Sequence, residues 1–309
     1  MRVALSAIGL LCVSIVVLAW SAKPAQAPAP ELAPPVPGIA ALIDGRLPVT
    51  VNDRVDYWIH EFLGPGRVRF EGYLVREGLY GGMIRDQLRA RRMPEDLLYL
   101  AMIESGFSAT ATSKHQASGV WQFKDATAQE YGLIVNDWVD ERRDPIRATD
   151  AALDYLEELH GMFGSWYLAA AAYNAGPSRV ALALEQDQTG GGAGGRIDEE
   201  VYWKISERLP PETREYVPKM LAASLLAQQA EHFGLEVEKS LPYLYERVFV
   251  PGGTPLMRVA QALGVEPSLI RELNPHLIRE VTPPGGSYPV RVPVGDSNRF
   301  VAVLDRQAD

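Results

Sequence analysis

The stretch Pro94-Glu95-Asp96-Leu97-Leu98-Tyr99-Leu100-Ala101-Met102-Ile103-Glu104-Ser105 decides how the chain is read. Pro94 is placed to begin a helix. Leu97, Leu100, Ala101 and Glu104 then fall at i, i+3, i+4 and i+7 and share one face. That puts Glu104 on an apolar face at the end of a helix. Burial disfavours the charged carboxylate and raises its pKa. A carboxyl group tuned in this way can act as a general acid near neutral pH, as cleavage of a glycosidic bond requires at the leaving oxygen. The same pattern also fits a buried glutamate paired with an arginine.

Two further stretches lie downstream. In Ser118-Gly119-Val120-Trp121-Gln122-Phe123, glycine allows a backbone to approach a ligand closely, Trp121 offers an apolar plane, and Gln122 offers donors and an acceptor. A turn carrying a core aromatic would read the same way. In Ala169-Ala170-Ala171-Ala172-Tyr173-Asn174-Ala175-Gly176 the small side chains suit close helix packing, and Tyr173 and Asn174 stand at the helix end. The alanines are core. The functional reading concerns Tyr173 and Asn174.

Around these motifs, from Val51 to about residue 232, the periodicity is helical, with no long alternating strand pattern. Asp144-Pro145 is an N-cap followed by proline at the first helical position, opening a helix to about His160, with breaks at Gly161 and Gly164. Its inward face carries Ala152, Leu153, Leu156 and Leu159. A second helix runs from Trp166 to Ala175 and stops at Gly176-Pro177. Thr189 to Gly195 is a flexible loop. A helix from about Glu212 to His232 contains Pro218, expected to kink or restart it. Near residue 245 the composition changes. Val248-Phe249-Val250 and Tyr288 to Val292 read as strands flanking short helices Leu256–Leu263 and Pro267–Leu273, a βααβ module over 246–305.

The chain has 309 residues, 47% hydrophobic, with a net charge of −9. That charge argues against nucleic acid and against attraction to an anionic membrane surface. Residues 1–27 read as an export signal: a positive start, the apolar run Val3 to Trp20, and the small-x-small pattern Ala25-Gln26-Ala27. Left uncleaved, this segment would be an anchor at the inner or outer membrane. The prolines between Pro24 and Pro37 mark an extended tether, placing a linker at 28–48 ahead of a domain over 49–245. Cys12 is the sole cysteine and lies within the leader, so no disulfide or thiol chemistry is expected beyond it. Five histidines show no ligand spacing, and no metal or cofactor is expected.

The order Glu104-Ser105, Gly119-Val120-Trp121-Gln122-Phe123, Ala172-Tyr173-Asn174-Ala175-Gly176 and Pro211-Glu212-Thr213-Arg214-Glu215-Tyr216-Val217 resembles the lytic transglycosylase family over roughly residues 50–230. The resemblance implies a mainly α, goose-type-lysozyme-like domain that cuts peptidoglycan glycan strands. Glu104 would be the catalytic carboxylate. Ser113 would lie near the substrate's N-acetyl group, Gln122 would line the saccharide cleft, and Tyr173 would stand near Glu104. Asn174, Glu212 and Tyr216 complete the implied substrate-binding set. Trp121 stands where many relatives carry methionine, implying a bulkier cleft wall.

The C-terminal pattern Val250-Pro251-Gly252-Gly253-Thr254-Pro255-Leu256, Val259-Ala260, Gly264-Val265, Leu273-Asn274-Pro275 and Val292-Pro293 resembles a LysM glycan-binding repeat. Its usual Gly-Asp-Thr-Leu is interrupted, and Thr282 to Gly286 is an added loop. It reads either as a glycan-binding unit or as a support for the catalytic domain. Two other functions remain open. A muramidase would hydrolyse the same bond with a second acid, for which Asp125 and Asp140 are candidates. A non-catalytic scaffold would bind peptidoglycan without cleaving it. The expected partner is the glycan strand, and the expected state a monomer.

Overall fold

The computed structural model describes residues 46–187 and 198–300. The expected leader, the proline tether and the glycine-rich stretch 189–195 lie outside the described residues. Of the stretch 28–48 expected as linker, only residues 46–48 are described. Leu47 is buried, its amide donates to the Asp96 carboxylate at 2.9 Å, and the Tyr167 hydroxyl donates to the Pro48 carbonyl.

The chain is mainly helical, as expected. Helices α1 (Asp53–Leu63) and α2 (Arg67–Ala90) come first. Then follow α3 (Leu98–Ser105), α4 (Asp125–Glu130), α5 (Pro145–Phe163), α6 (Trp166–Ala175), α7 (Pro177–Glu185), α8 (Glu200–Ile205) and α9 (Pro211–Gln228). Strand β1 (Glu246–Pro251), α10 (Leu256–Leu263), α11 (Pro267–Leu273) and β2 (Ser287–Val292) close the described chain. The two strands pair antiparallel, with Val248 opposite Val290 and Glu246 opposite Val292. Among the described residues no helix is long and apolar enough to cross a membrane.

Helix α3 sits at the centre. A short 3-10 turn, Glu95–Leu97, leads from Pro94 into it. The expected single apolar face proves too narrow, because Leu97 through Met102 are all buried. A helix apolar all round is a core helix, and α9 and α2 both pack against α3. The α5 face is buried as expected, with Ala152, Leu153, Leu156 and Leu159 fully inaccessible. Gly161 does not break α5, which continues to Phe163 and is capped by Gly164 in the left-handed region at φ 67°.

Pro218 neither ends nor restarts α9. Proline has no N–H to give to the carbonyl four residues earlier, which is Arg214. The Tyr202 hydroxyl donates to that carbonyl instead, at 2.9 Å. The helix ends at Gln228, earlier than expected, and the chain then crosses α2. There Ser240 and Tyr243 donate their amides to the Val75 and Leu79 carbonyls, both at 2.9 Å. The crossing requires glycine at 78, since a Cβ there would stand 2.1 Å from the Ser240 carbonyl oxygen.

The strands and helices of the C-terminal module enclose a core of Val248, Val250, Leu256, Val259, Leu263, Ile270, Val290 and Val292. Val139, from the segment between α4 and α5, belongs to the same cluster.

Candidate active site

The site is built at the C-terminal end of α3. Gly106 caps the helix with φ 59°, and Arg76 donates to its carbonyl at 2.7 Å. Glu104 keeps part of its surface open. Burial still dominates its titration and pushes the carboxyl from 4.5 up to about 7, against the hydrogen bond from Tyr216 and the charge of Lys219, with the charge of Glu212 adding to the rise. The Tyr216 hydroxyl donates to Glu104 Oε1 at 2.6 Å. Tyr216 is itself held well above the usual tyrosine value, first by burial and then by the neighbouring Glu104. Burial lowers Lys219, while Glu104 acts to raise it.

No arginine is bonded to Glu104 among the described residues. The alternative of a structural Glu–Arg pair applies elsewhere, to Glu77, which is bound by Arg85 and Lys239. Glu104 instead has a hydroxyl partner and a half-buried lysine, and burial outweighs both, leaving a proton available near neutrality.

Tyr173 hydrogen-bonds to the Trp121 carbonyl at 2.8 Å rather than to Glu104. The charge of Glu104 still reaches it, adding to burial in raising its pKa well above 10. Its ring packs against Tyr155 at 5.3 Å and Phe123 at 6.1 Å. Asn174 accepts from Thr213 Oγ1 at 2.8 Å, tying the end of α6 to the first turn of α9. Glu212 is exposed, and its charge acts on Glu104 without a hydrogen bond between them.

Gln122 and Ser113 stand on the loop between α3 and α4. Gln122 has φ 50°, and its amide group donates to the Gly119 carbonyl at 2.9 Å and the Ala111 carbonyl at 3.2 Å. With both amide hydrogens engaged, the side-chain oxygen is the group left for a ligand. Ser113 accepts from the amides of Ala117 at 3.1 Å and His115 at 3.2 Å. Gly119, at φ 82°, backs onto the Arg142 carbonyl so closely that a Cβ would lie 1.7 Å from it.

Two expectations need correction. Trp121 does not form a cleft wall: it is fully buried and donates to Thr149 Oγ1 at 2.9 Å, so it is a core residue beneath the loop. Asp125 and Asp140 are not poised to activate water beside Glu104, because both are bound by Arg142.

Three contributors escaped the sequence reading. Ser105 donates to the Val120 carbonyl at 2.7 Å and joins α3 to the Gln122 loop. Lys219 acts on Glu104, and Arg142 holds the loop. Ser105 belonged to a quoted motif but was given no role. Lys219 follows Tyr216 at a helical i+3 spacing, which is a usable signal once Tyr216 is placed. A cavity of about 830 Å³ lined by Leu74, Gln228, His232 and Leu235 includes none of the candidate residues.

Residues 83–193 match the family described as the transglycosylase SLT domain. Residues 245–309 match that described as the lytic transglycosylase MltD, LysM-like domain. The chain is 33% identical over 239 residues to membrane-bound lytic murein transglycosylase D of Escherichia coli (strain K12), covering 74% of this chain and 49% of that protein. It is 36% identical over 160 residues to peptidoglycan transglycosylase gp16 of Escherichia phage T7, covering 50% of this chain and 11% of that protein. Among solved structures, the 70 kDa soluble lytic transglycosylase of Escherichia coli aligns with a TM-score of 0.40 at 26% identity, over 49% of this chain and 24% of that one. The chain spans about half the length of the first curated relatives it matches.

Proposed function

From the premise that this chain carries a transglycosylase SLT domain at residues 83–193 and an MltD-type LysM-like domain at 245–309, we propose that it is a peptidoglycan lytic transglycosylase of the cell envelope. The observation that carries the reading is Glu104, a carboxyl held at about 7 by burial with the Tyr216 hydroxyl 2.6 Å away. At neutral pH such a group is protonated often enough to give its proton and basic enough to take one back.

Glu104 protonates the oxygen of the β-1,4 bond between N-acetylmuramic acid and N-acetylglucosamine, and the bond to C1 breaks. The substrate's own N-acetyl oxygen relieves the positive charge at C1. Glu104, now ionised, removes the proton of the 6-hydroxyl, whose oxygen closes onto C1 and leaves a 1,6-anhydromuramyl end. No water is consumed, and Glu104 ends protonated as it began. Ser113 and Tyr173 orient the acetamide. Gln122 accepts a hydrogen bond from the sugar through its side-chain oxygen. Asn174 and Glu212 border the cleft, and Tyr216 holds Glu104.

The proposed catalytic domain spans 49–245 and the LysM-like domain 246–305, and the protein acts as a monomer. Its leader exports it and, if retained, anchors it to the inner or outer membrane. A muramidase on the same frame needs a base for water. Asp125 and Asp140, the carboxylates expected for that role, are both bound by Arg142.

Mass spectrometry of muropeptides released from purified sacculi separates the readings. Anhydro ends, lighter by one water than the hydrolysed ends, are the expected product. Reducing muramyl ends would identify a muramidase, and intact sacculi a scaffold.

A further inference from the structure

We infer that Arg142 is a positioning residue for the Gln122 loop and that the C-terminal module, by fixing the segment 134–144, is an intramolecular brace for the substrate cleft; the inference rests on the proposed glycan-cleaving site.

The cleft end of the path is the Gln122 loop. Gln122 at φ 50° and Gln116 at φ 63° both lie in the left-handed region. Backbone of that kind persists where the surroundings hold it in place. Arg142, buried and 8% exposed, supplies much of that hold. Its Nη1 donates to the Gln116 carbonyl at 3.0 Å and the Phe123 carbonyl at 3.4 Å, spanning the two ends of the loop. Nη1 also pairs with Asp125. Its Nε and Nη2 grip the two oxygens of Asp140, each at 2.8 Å. This use of the guanidinium fork is not available to a lysine, which is a single point of charge. The Arg142 backbone carbonyl forms the wall against which Gly119 rests.

The module holds the other end. Asp140 N donates to the His276 carbonyl at 2.9 Å, and Ile278 N to the Trp138 carbonyl at 3.2 Å. Val139 bridges Leu277 and lies in the module's core. Arg279 donates to the Asp137 carbonyl at 2.6 Å and lies 4.8 Å above the Trp138 ring. Arg291 of β2 reaches Asp144 at 2.5 Å, with both side chains under a tenth exposed. Its backbone is fixed in turn by Asn274, which accepts from Arg291 N at 2.9 Å and donates to Arg291 O at 2.8 Å. Asp140 and Asp144 therefore stand on either side of Arg142, one clamping its guanidinium and the other clamped by the module.

Hydrogen exchange of the full chain tests the brace without relying on activity. Arg142→Ala should accelerate exchange of the amides over 116–123 by about tenfold or more, leaving α6 unchanged. The paired change Asp144→Asn with Arg291→Met removes both buried charges together and should loosen 134–144 and 116–123 alike. Arg279→Ala lies at a half-exposed part of the same junction, where folding is not at stake, and should give about a threefold acceleration in both segments.

In the cleavage assay, Arg142→Ala should raise KM about tenfold with kcat within about threefold and the alkaline pH limb unmoved, and Arg142→Lys should not rescue it. Unchanged exchange over 116–123 in folded Arg279→Ala and in the paired variant would overturn the brace. A fall in kcat with KM unchanged would overturn the positioning role of Arg142. If wild-type protein releases no glycan product, the proposed function fails, while the exchange result still decides the brace.

Discussion

Glu104 and Asp144 are two carboxylates taken largely out of water, and their partners separate them. Asp144 meets Arg291 at 2.5 Å and caps α5 through the amides of Ile146 and Arg147. Burial acts to lower the Arg291 guanidinium, but the charge and hydrogen bond of Asp144, together with Tyr243 and Tyr245, outweigh it and the net shift is upward. That is a structural ion pair. Glu104 meets a hydroxyl at 2.6 Å and, among the described residues, no guanidinium, and burial raises its pKa to about 7. Both groups are taken out of water, but a guanidinium ties Asp144 to another part of the chain, whereas burial outweighs the Tyr216 hydroxyl at Glu104 and leaves it an exchangeable proton.

The hardest test of this contrast is Glu104→Gln. If the proton is what matters, cleavage of sacculi should fall by about 10³-fold or more, read by release of anhydro-muropeptides, while the fold persists. Stability should also change in a pH-dependent way. The unfolded carboxyl ionises near 4.5 and the folded one near 7, so the native state binds the extra proton between those values and wild type loses stability as pH rises through that window. The glutamine variant should be more stable than wild type by about 2 kcal/mol above pH 7, allowing for partial exposure, with the gain vanishing below about pH 4.5. A variant less stable than wild type at pH 8 would break the comparison.

Asp144→Ala should do the opposite. It leaves Arg291 buried without its partner and removes an N-cap, at a cost of about 3–5 kcal/mol, measurable by urea denaturation. The double variant Asp144→Asn with Arg291→Met keeps the cap and removes both charges, and should recover most of that loss. A double variant as unstable as the single one would show that packing, rather than the unpaired charge, sets the cost.

The sequence could not separate these two carboxylates. Asp144-Pro145 announces a cap, and it caps. Glu104 announces burial, and it is largely buried. What distinguishes them comes from far along the chain: Arg291 lies 147 residues from Asp144, and Tyr216 lies 112 from Glu104. Local chemistry was legible. The bounds of α6, α10 and α11 follow from a glycine cap, a proline start and short apolar periods, and the structure places them on the same residues. Where tertiary contacts override a local signal, the reading failed. Pro218 stays helical because Tyr202 supplies the missing donor, and Trp121 leaves the cleft because Thr149 accepts its indole N–H.

Tyr216→Phe sharpens the contrast at Glu104 itself. The hydrogen bond from Tyr216 acts to lower the Glu104 pKa, so its loss should raise that pKa and carry the alkaline limb of kcat/KM to higher pH. The phenylalanine keeps the packing but no longer orients the carboxyl, and kcat should fall about tenfold. A limb that moves to lower pH would show that Tyr216 stabilises the protonated form instead.

The smallest effects come from the two flanking charges, and their value lies in having opposite signs. Lys219 acts to lower the Glu104 pKa and Glu212 acts to raise it. Lys219→Met should therefore move the alkaline limb up, and Glu212→Gln should move it down. Both shifts are smaller than that of Tyr216→Phe, because neither group is hydrogen-bonded to the carboxyl. Added salt screens an exposed charge more than a half-buried one. Glu212 is exposed and Lys219 is not, so raising ionic strength should erase the Glu212→Gln shift first. If both variants moved the limb in the same direction, the titration would belong to some group other than Glu104, and the division between a carboxylate that joins and one that reacts would have to be drawn elsewhere in the cleft.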